Sequence, residues 1–509
     1  MNIGEGLPRN AQHFPKKLAI RDHAKSLSFL DLHLRTSRLG NYLLAHGVRP
    51  GDLVAFSCGS RSENFEVLFA LGKIGAVAVP FDFHWSSQEC RAMIDFLEPQ
   101  AFIVEGRLET QHLAELIPER FPLSRVLSID WPNTRWSHSY EEAVDSSPSE
   151  DPPVNVKGQD PFLIMITSGT TGFPKGCLVN HETYVIRSLN NAIIRAINSE
   201  TRALLTLPLH FNAGRGSMVG ALYLGATVFI HERFSEEHFL TTVEAEKITY
   251  TMLVPTLCRR LLKYPRLDNR DTSSLQFIGI TGGHLSPGEA RDMIARVCSE
   301  IHESYASTDC GQVTALTRED RQRHGDSVGR PIWCVLLRII DDEGKEVSPG
   351  EPGEICVRSP LSVQGYYRNA AATNEFLSGG WCHSGDIGFI DTEGYLHVTG
   401  RKKNMIKSGG ISIFPEEIED VLSNHPKVAE AAVVGFKSEA WGEAVKAIVV
   451  LKRGERSSPE ELVRYCKDSL ASYKAPKVFT FVDALPRTGL GKIDRGKLSA
   501  FLEQEERAD

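Results

Sequence analysis

The sequence has no run of 18 or more apolar residues, so no single hydrophobic helix is expected to span a membrane. It has no block of lysine and arginine, and its formal net charge is −8, which argues against nucleic acid as the main partner. Its ten cysteines are scattered and none stands in a C-x-x-C pair. That excludes a zinc site built on cysteine pairs and leads us to expect a reduced, cytoplasmic setting. Residues Met1 to Pro8 lack a basic stretch followed by an apolar one, and the last residues do not spell the peroxisomal S-K-L address. Neither secretion nor peroxisomal targeting is therefore expected. Internal repeats and low-complexity segments are also missing. What remains is an ordinary globular composition, 41% hydrophobic and 24% charged, spread over 509 residues, which is too long for one core.

The densest chemistry lies in Thr167, Ser168, Gly169, Thr170, Thr171, Gly172, Phe173, Pro174, Lys175 and Gly176. It follows Phe162 to Ile166, an apolar run that reads as a buried strand. Glycines let a loop bring backbone N–H groups onto a ligand. Hydroxyls and N–H groups donate to phosphate oxygens, and Lys175 adds a point charge. The segment reads as a polyphosphate cradle, although Gly172 to Lys175 breaks the Walker A spacing.

The chain alternates strand-like and helix-like stretches up to about residue 330. Leu53 to Phe56 and Ala76 to Val79 read as strands around a helix at Phe65 to Leu71. Ala203 to Leu207, Thr227 to Ile230 and Phe277 to Ile280 repeat the habit, which predicts doubly wound sheets. Short strands with glycine and proline turns follow, at Val335 to Ile340 and Gly353 to Val357. Beyond 403 a helix starting at Pro415 and strands at Ala431 to Gly435 and Ala447 to Leu451 predict a small α+β domain. The expected fold is α/β. It has a large N-terminal domain, 1–402, made of two doubly wound subdomains (about 1–160 and 161–330) and a small β-barrel-like unit (331–402). A mobile lid, 403–509, follows.

At these residues the chain resembles the acyl-adenylate-forming superfamily of acyl-CoA synthetases, peptide-synthetase adenylation domains and luciferases. The resemblance covers nearly the whole chain and rests on several motifs in the family's order. It implies that Tyr305, Ala306, Ser307, Thr308 and Asp309 match the family's Tyr-Gly-x-Thr-Glu. Tyr305 would stack on adenine, Thr308 would meet the α-phosphate, and Asp309 would hold Mg²⁺, a hard cation that takes oxygen ligands. Ala306 for glycine and Asp309 for glutamate are departures from that pattern. The turn Gly282, Gly283 and His284, with Glu303 and Ser304, would carry the nucleotide. Asp386 would accept from the ribose hydroxyls with support from Arg401, since a carboxylate suits a diol. Lys492, on a glycine-flanked loop, would bridge the substrate carboxylate and the α-phosphate. Lys403 would be the hinge, and Lys407, Ser408, Gly409 and Gly410 the loop that approaches the thiol.

The same resemblance places the acyl pocket at His210, Phe211, Asn212, Gly214, Arg215, Gly216 and Met218, with His210 as an aromatic gate. Amino-acid-activating relatives carry an aspartate where this chain has Asn212. Without it a substrate ammonium would lack a counter-charge, so α-amino acids are disfavoured. Gly214, Gly216 and Gly220 would thin the pocket helix. Arg215 either meets a second substrate carboxylate or forms an ordinary ion pair.

The implied reaction joins a small carboxylic acid to ATP with loss of pyrophosphate, and a thiol then displaces AMP. A carboxylic acid is already ionised at neutral pH, so positioning and charge neutralisation replace a general base. The expected partners are ATP, Mg²⁺ and coenzyme A. A phosphopantetheine arm on an acyl carrier protein is an alternative acceptor, and a binding protein with a degenerate adenylating site is an alternative of another class. The expected assembly is a monomer or homodimer.

Overall fold

The computed structural model describes residues 1–107, 110–131, 135–167, 175–210, 212–408, 411–438, 442–487, 493–495 and 497–498. The chain divides into two compact units. One comprises Met1–Leu337 with Val357–Cys382, and the other Arg338–Cys356 with His383–Asp509. The 402/403 junction lies inside the second unit.

The first unit is built on two sheets, each flanked by helices. Its strands in chain order are β1 (Leu18–Arg21), β2 (Ser26–Ser28), β3 (Leu53–Ser57), β4 (Val77–Pro80), β5 (Ala101–Glu105), β6 (Val126–Ile129) and β7 (His138–Ser139). They continue with β8 (Pro161–Thr167), β9 (Lys175–Asn180), β10 (Arg202–Leu205), β11 (Thr227–Ile230), β12 (Tyr250–Leu253), β13 (Phe277–Ile280) and β14 (Ile301–Glu303). The eight-stranded sheet has the order Gly365–Tyr366, β9, β8, β4, β3, β5, β6, β7. Its strands are parallel from β8 to β7, while β9 returns antiparallel on β8. The seven-stranded sheet has the order β14, β13, β12, β10, β11, β1, β2. Strands from the first 160 residues therefore complete the second sheet, and β8 and β9 belong to the first.

Burial on both faces explains the continuous apolar runs: every residue of β3, β4 and β5 is buried. The helix Ser62–Ile74, which links β3 to β4, is buried along its whole length and ends on Gly75 at φ +69°. Capping boxes Ser86/Glu89 and Ser286/Glu289 start the helices Ser87–Leu97 and Pro287–Arg296.

In the second unit, strands Val428–Ser438 and Gly442–Leu451 form a long antiparallel hairpin, and Val478–Phe481 adds parallel to the latter. Helices Pro415–Ser423 and Pro459–Ser469 cover it over a core that includes Ile418, Leu422, Val433, Val445, Val449 and Leu462. This is the small α+β C-terminal domain that the sequence predicts. Trp381–Ile390 and Leu396–Arg401 pair antiparallel with Asp386 opposite Arg401. Among the described residues no helix is long and apolar enough to cross a membrane.

Candidate active site

Strands β10, β12, β13 and β14 run parallel, so their carboxyl ends gather along one edge, where open α/β sheets bind ligands. His210 follows β10 on that edge, the turn Gly282–Gly283–His284 follows β13, and Ser304 to Asp309 follow β14. The cradle at 168–174 joins β8 to β9. Ser168, Gly169, Thr170, Thr171 and Gly172 lie outside the described residues, but Thr167 and Lys175 face each other at its base.

Glu303 organises the turn expected to carry adenine. Its buried carboxylate accepts the Leu285 N–H at 3.0 Å and lies 2.6 Å from His284 Nδ1. Arg321 Nη1, itself buried, pairs with it at 3.1 Å. Gly282 holds φ +76°, which favours glycine, and the turn itself is exposed.

The next segment folds as a tiny hairpin, Ala306–Ser307 against Gly311–Gln312. The Tyr305 carbonyl accepts the Val313 N–H at 2.9 Å, and Gln312 Nε2 donates to Ser304 Oγ at 3.0 Å. The Thr308 carbonyl accepts from Arg187 Nη2 at 3.2 Å. Asp309 Oδ1 accepts from the Cys177 thiol at 2.8 Å, and its charge acts on the Tyr366 hydroxyl. Burial first, and the Asp309 charge second, push the pKa values of Cys177 and Tyr366 well above their ordinary ranges, so both groups stay protonated. Burial pulls the Arg187 guanidinium below its ordinary value. Lys175 Nζ sits 4.8 Å over the Tyr366 ring. Cys177, Arg187 and Tyr366 are the residues that sequence reasoning missed. Cys177 lies two residues beyond Lys175 on the same face of β9, yet its partner is 132 positions away. The oxygen chemistry of Asp309 fits Mg²⁺, which binds one or two carboxylates together with phosphates.

On the acyl side, His210 is held below its usual range, to about 4, mainly by burial against the pull of Asp82. It is neutral near pH 7 and fits an aromatic gate. Phe211 lies outside the described residues. Asn212 opens the helix Asn212–Tyr223, in which Arg215 and Met218 are fully buried. Arg215 Nη1 donates to the Leu209 carbonyl at 3.0 Å and the His210 carbonyl at 3.4 Å. Among the described residues it has no carboxylate partner, so the ordinary ion pair is not formed there. Two of the glycines serve close packing. A Cβ at Gly214 would meet the Leu207 carbonyl at 2.9 Å, and one at Gly220 would meet Ser188 at 3.2 Å. Gly216 has ordinary room, 3.6 Å from Asn212 and 3.9 Å from the Tyr184 hydroxyl.

In the second unit Arg401 Nε lies 2.5 Å from the buried Asp386 Oδ1, fixed by the strand register. Lys402 pairs with Glu354 at 3.1 Å, while Lys403 is exposed. The backbone N–H of exposed Lys407 donates to Glu443 at 2.7 Å, and Ser408 is buried. Gly409, Gly410 and Lys492 lie outside the described residues. A bridge between Arg487 and Ile493 closes the base of the Lys492 loop.

Residues 7–367 match the family model described as AMP-binding enzyme, and residues 417–492 match the AMP-binding enzyme C-terminal domain. The chain belongs to this family. Within it, the chain is of the acyl-CoA synthetase type. It is 36% identical to indoleacetate–CoA ligase of Aromatoleum aromaticum over 97% of this chain and 96% of that protein. Among solved structures it is similar to o-succinylbenzoate CoA synthetase of Bacillus subtilis in complex with its acyl-adenylate, at 28% identity and TM-score 0.86, covering 97% of each chain. The same enzyme with ATP and magnesium ion also has a TM-score of 0.86, with 97% of this chain and 99% of that chain covered. An amide bond synthetase of Marinactinospora thermotolerans is similar at 27% identity and TM-score 0.87, covering 98% and 99%.

Proposed function

We propose that this AMP-binding enzyme is a Mg²⁺-dependent ligase that converts a ring-bearing carboxylic acid and ATP to acyl-AMP and then to an acyl-CoA. The observation that carries the reading is the Thr308–Asp309 segment, clasped by β9 at the base of the hydroxyl-rich cradle, in a chain 36% identical to an indoleacetate–CoA ligase. Thr167, Ser168, Gly169, Thr170, Thr171, Gly172 and Lys175 would hold the phosphates. Thr308 would donate to the α-phosphate, where charge grows as the carboxylate attacks. Asp309 would hold Mg²⁺, which neutralises phosphate charge when bound. Asp386, oriented by Arg401, would accept from the ribose diol, and Lys492 would stabilise the developing charge. Lys403 would serve as hinge between the adenylating lobe and a lid that carries Lys492 on one loop and Lys407–Gly410 on another.

Asn212 supports an acid without an α-ammonium. The similarity to two enzymes named for aromatic acids supports a ring-bearing acyl group. Carboxylate-dependent pyrophosphate exchange, run over aromatic, medium-chain and dicarboxylic acids, tests the reading. Aromatic acids should support the fastest exchange, and no exchange with any acid would overturn it.

The likeness to an amide bond synthetase favours a second reading, in which an amine takes the acyl group. Offering the acyl-AMP coenzyme A, a phosphopantetheinylated carrier protein or a primary amine, with the product followed by mass, separates the acceptors.

A further inference from the structure

Beside the acyl gate lies a group of side chains that the ligase chemistry does not use. The chain leaves the carboxyl end of β4 through Phe81, Asp82, Phe83 and His84 before the helix Ser87–Leu97 begins. Asp82 is buried. Its Oδ1 accepts the backbone N–H of His84 at 2.9 Å and also lies 2.9 Å from His84 Nδ1. Its Oδ2 faces His210 Nε2 at 3.9 Å. One ligand atom from each of Asp82, His84 and His210 falls within 4.8 Å of the other two.

The surroundings fix these groups. Phe83 stands edge-on to His210 at 5.2 Å and packs against His84 at 4.1 Å. Arg107 lies over the Phe83 ring at 4.9 Å, and its charge is answered by Glu105 and Glu232. His84 is half-exposed, so an ion has a route in from solvent.

Two imidazoles and one carboxylate suit borderline transition metals such as Zn²⁺ and not Mg²⁺, which takes oxygen ligands and holds several waters. Zn–N and Zn–O bonds of about 2.0–2.2 Å set tetrahedral ligand atoms roughly 3.3–3.5 Å apart. His84 Nδ1 lies 2.9 Å from Asp82 Oδ1 and His210 Nε2 3.9 Å from Asp82 Oδ2, and with one ligand atom from each residue within 4.8 Å of the other two the set needs to close only by about an ångström to reach that spacing. Three protein ligands leave a fourth position open to water or an anion.

We propose that Asp82, His84 and His210 form a site for Zn²⁺ or a similar divalent transition metal at the mouth of the acyl pocket, separate from the Mg²⁺ that accompanies ATP. Metal bound there ties His210 to the β4 loop and stops it from turning aside for the acid. Zn²⁺ is then an inhibitor directed against the carboxylic acid and not against ATP. The binding site stands on the geometry alone, and only the inhibition rests on the ligase reading.

The test uses the full chain after EDTA treatment and buffer exchange, without substrates. Titration with ZnCl₂ by calorimetry should give a saturable site of one ion per chain. Substitution with Co²⁺ should give the visible absorption of a four-coordinate centre. His84→Ala removes a half-exposed side chain and leaves the fold and the metal-free activity intact. It should weaken Zn²⁺ binding at least about tenfold, since even losing an outer partner of a metal ligand costs 10–100-fold. Asp82→Asn should weaken it similarly. In turnover assays Zn²⁺ should raise the apparent KM for the acid in the natural protein and leave it unchanged in His84→Ala. Absence of saturable binding, or equal Zn²⁺ affinity in the natural protein and both variants, would overturn the site. Binding that follows the variants in a protein without adenylating activity would uphold the site while the ligase reading fell.

Discussion

Glu303 offers a direct way to perturb the nucleotide turn without touching a group proposed to meet the phosphates. Its carboxylate accepts the Leu285 N–H, lies 2.6 Å from the His284 ring of the same turn, and forms an ion pair with the buried Arg321 guanidinium of the helix Arg318–His324. Glu303→Gln keeps the volume but removes the charge and turns one acceptor into an N–H that faces Arg321. Breaking a buried pair by neutralising one partner costs about 3–5 kcal/mol, because the other charge stays buried. Urea unfolding should show a loss of that size. The turn Gly282–His284 also loses its anchor to β14, so ATP affinity should fall at least about tenfold, or 1.4 kcal/mol, read by a fluorescent ATP analogue. A double-mutant cycle makes the argument specific. Arg321→Met removes the stranded charge, so Glu303→Gln/Arg321→Met should be less destabilised than the sum of its parts by about 2 kcal/mol. Stability of Glu303→Gln within about 1 kcal/mol of the natural protein, or additive single variants, would refute the reasoning.

Lys492→Ala should slow adenylation by about 10²–10³-fold, the usual cost of losing one transition-state stabiliser, while thioester formation from supplied acyl-AMP persists. Equal loss of both half-reactions contradicts the role. Asp309→Asn should raise the Mg²⁺ concentration needed for half-maximal ATP turnover, and an unchanged Mg²⁺ dependence removes Asp309 from the metal. His231 bears on acid stability, because burial lowers it to about 4 while His238 stacks on it at 3.7 Å. The unfolded chain binds the proton first as pH falls, so stability present above pH 6.5 is lost between 6.5 and 4, by about 3 kcal/mol at most. His231→Gln should flatten that part of the urea-midpoint profile, and parallel profiles for the two proteins would refute the assignment.

The elements were legible wherever burial on two faces writes a continuous apolar run. Leu53–Ser57, Thr227–Ile230 and Phe277–Ile280 fall where the sequence places them, and so does the helix starting at Pro415. The pairing of those elements was not legible. β1 reaches across some 200 residues to lie parallel with β11, and Gly365–Tyr366 completes the sheet begun at β3. Nothing local records such partners, because strand pairing is paid for by contacts distant in sequence. The same limit governed the site. The motif residues carry their own chemistry and stand out singly. The groups that orient them, Cys177 and Tyr366 on Asp309, Arg321 on Glu303 and Asp82 by His210, carry no signature until the fold assembles them.

The two departures from the family's Tyr-Gly-x-Thr-Glu are absorbed by their surroundings. Ala306 pairs with Gln312 in a short hairpin and is not among the residues at positive φ, so glycine's freedom is not needed there. Asp309 reaches one methylene less far than glutamate, yet its carboxylate is not left to swing. The Cys177 thiol on β9 donates to it at 2.8 Å, and the neighbouring strand Gly365–Tyr366 pairs with β9 at Cys177. The thiol stays protonated because burial makes its charged form costly. A shorter carboxylate held by a fixed donor is more restricted than a longer one without it, and restriction is what a positioning site needs. The thiol thus takes part of the role that the missing methylene would have filled, and Cys177 and Asp309 read as one paired feature of this chain.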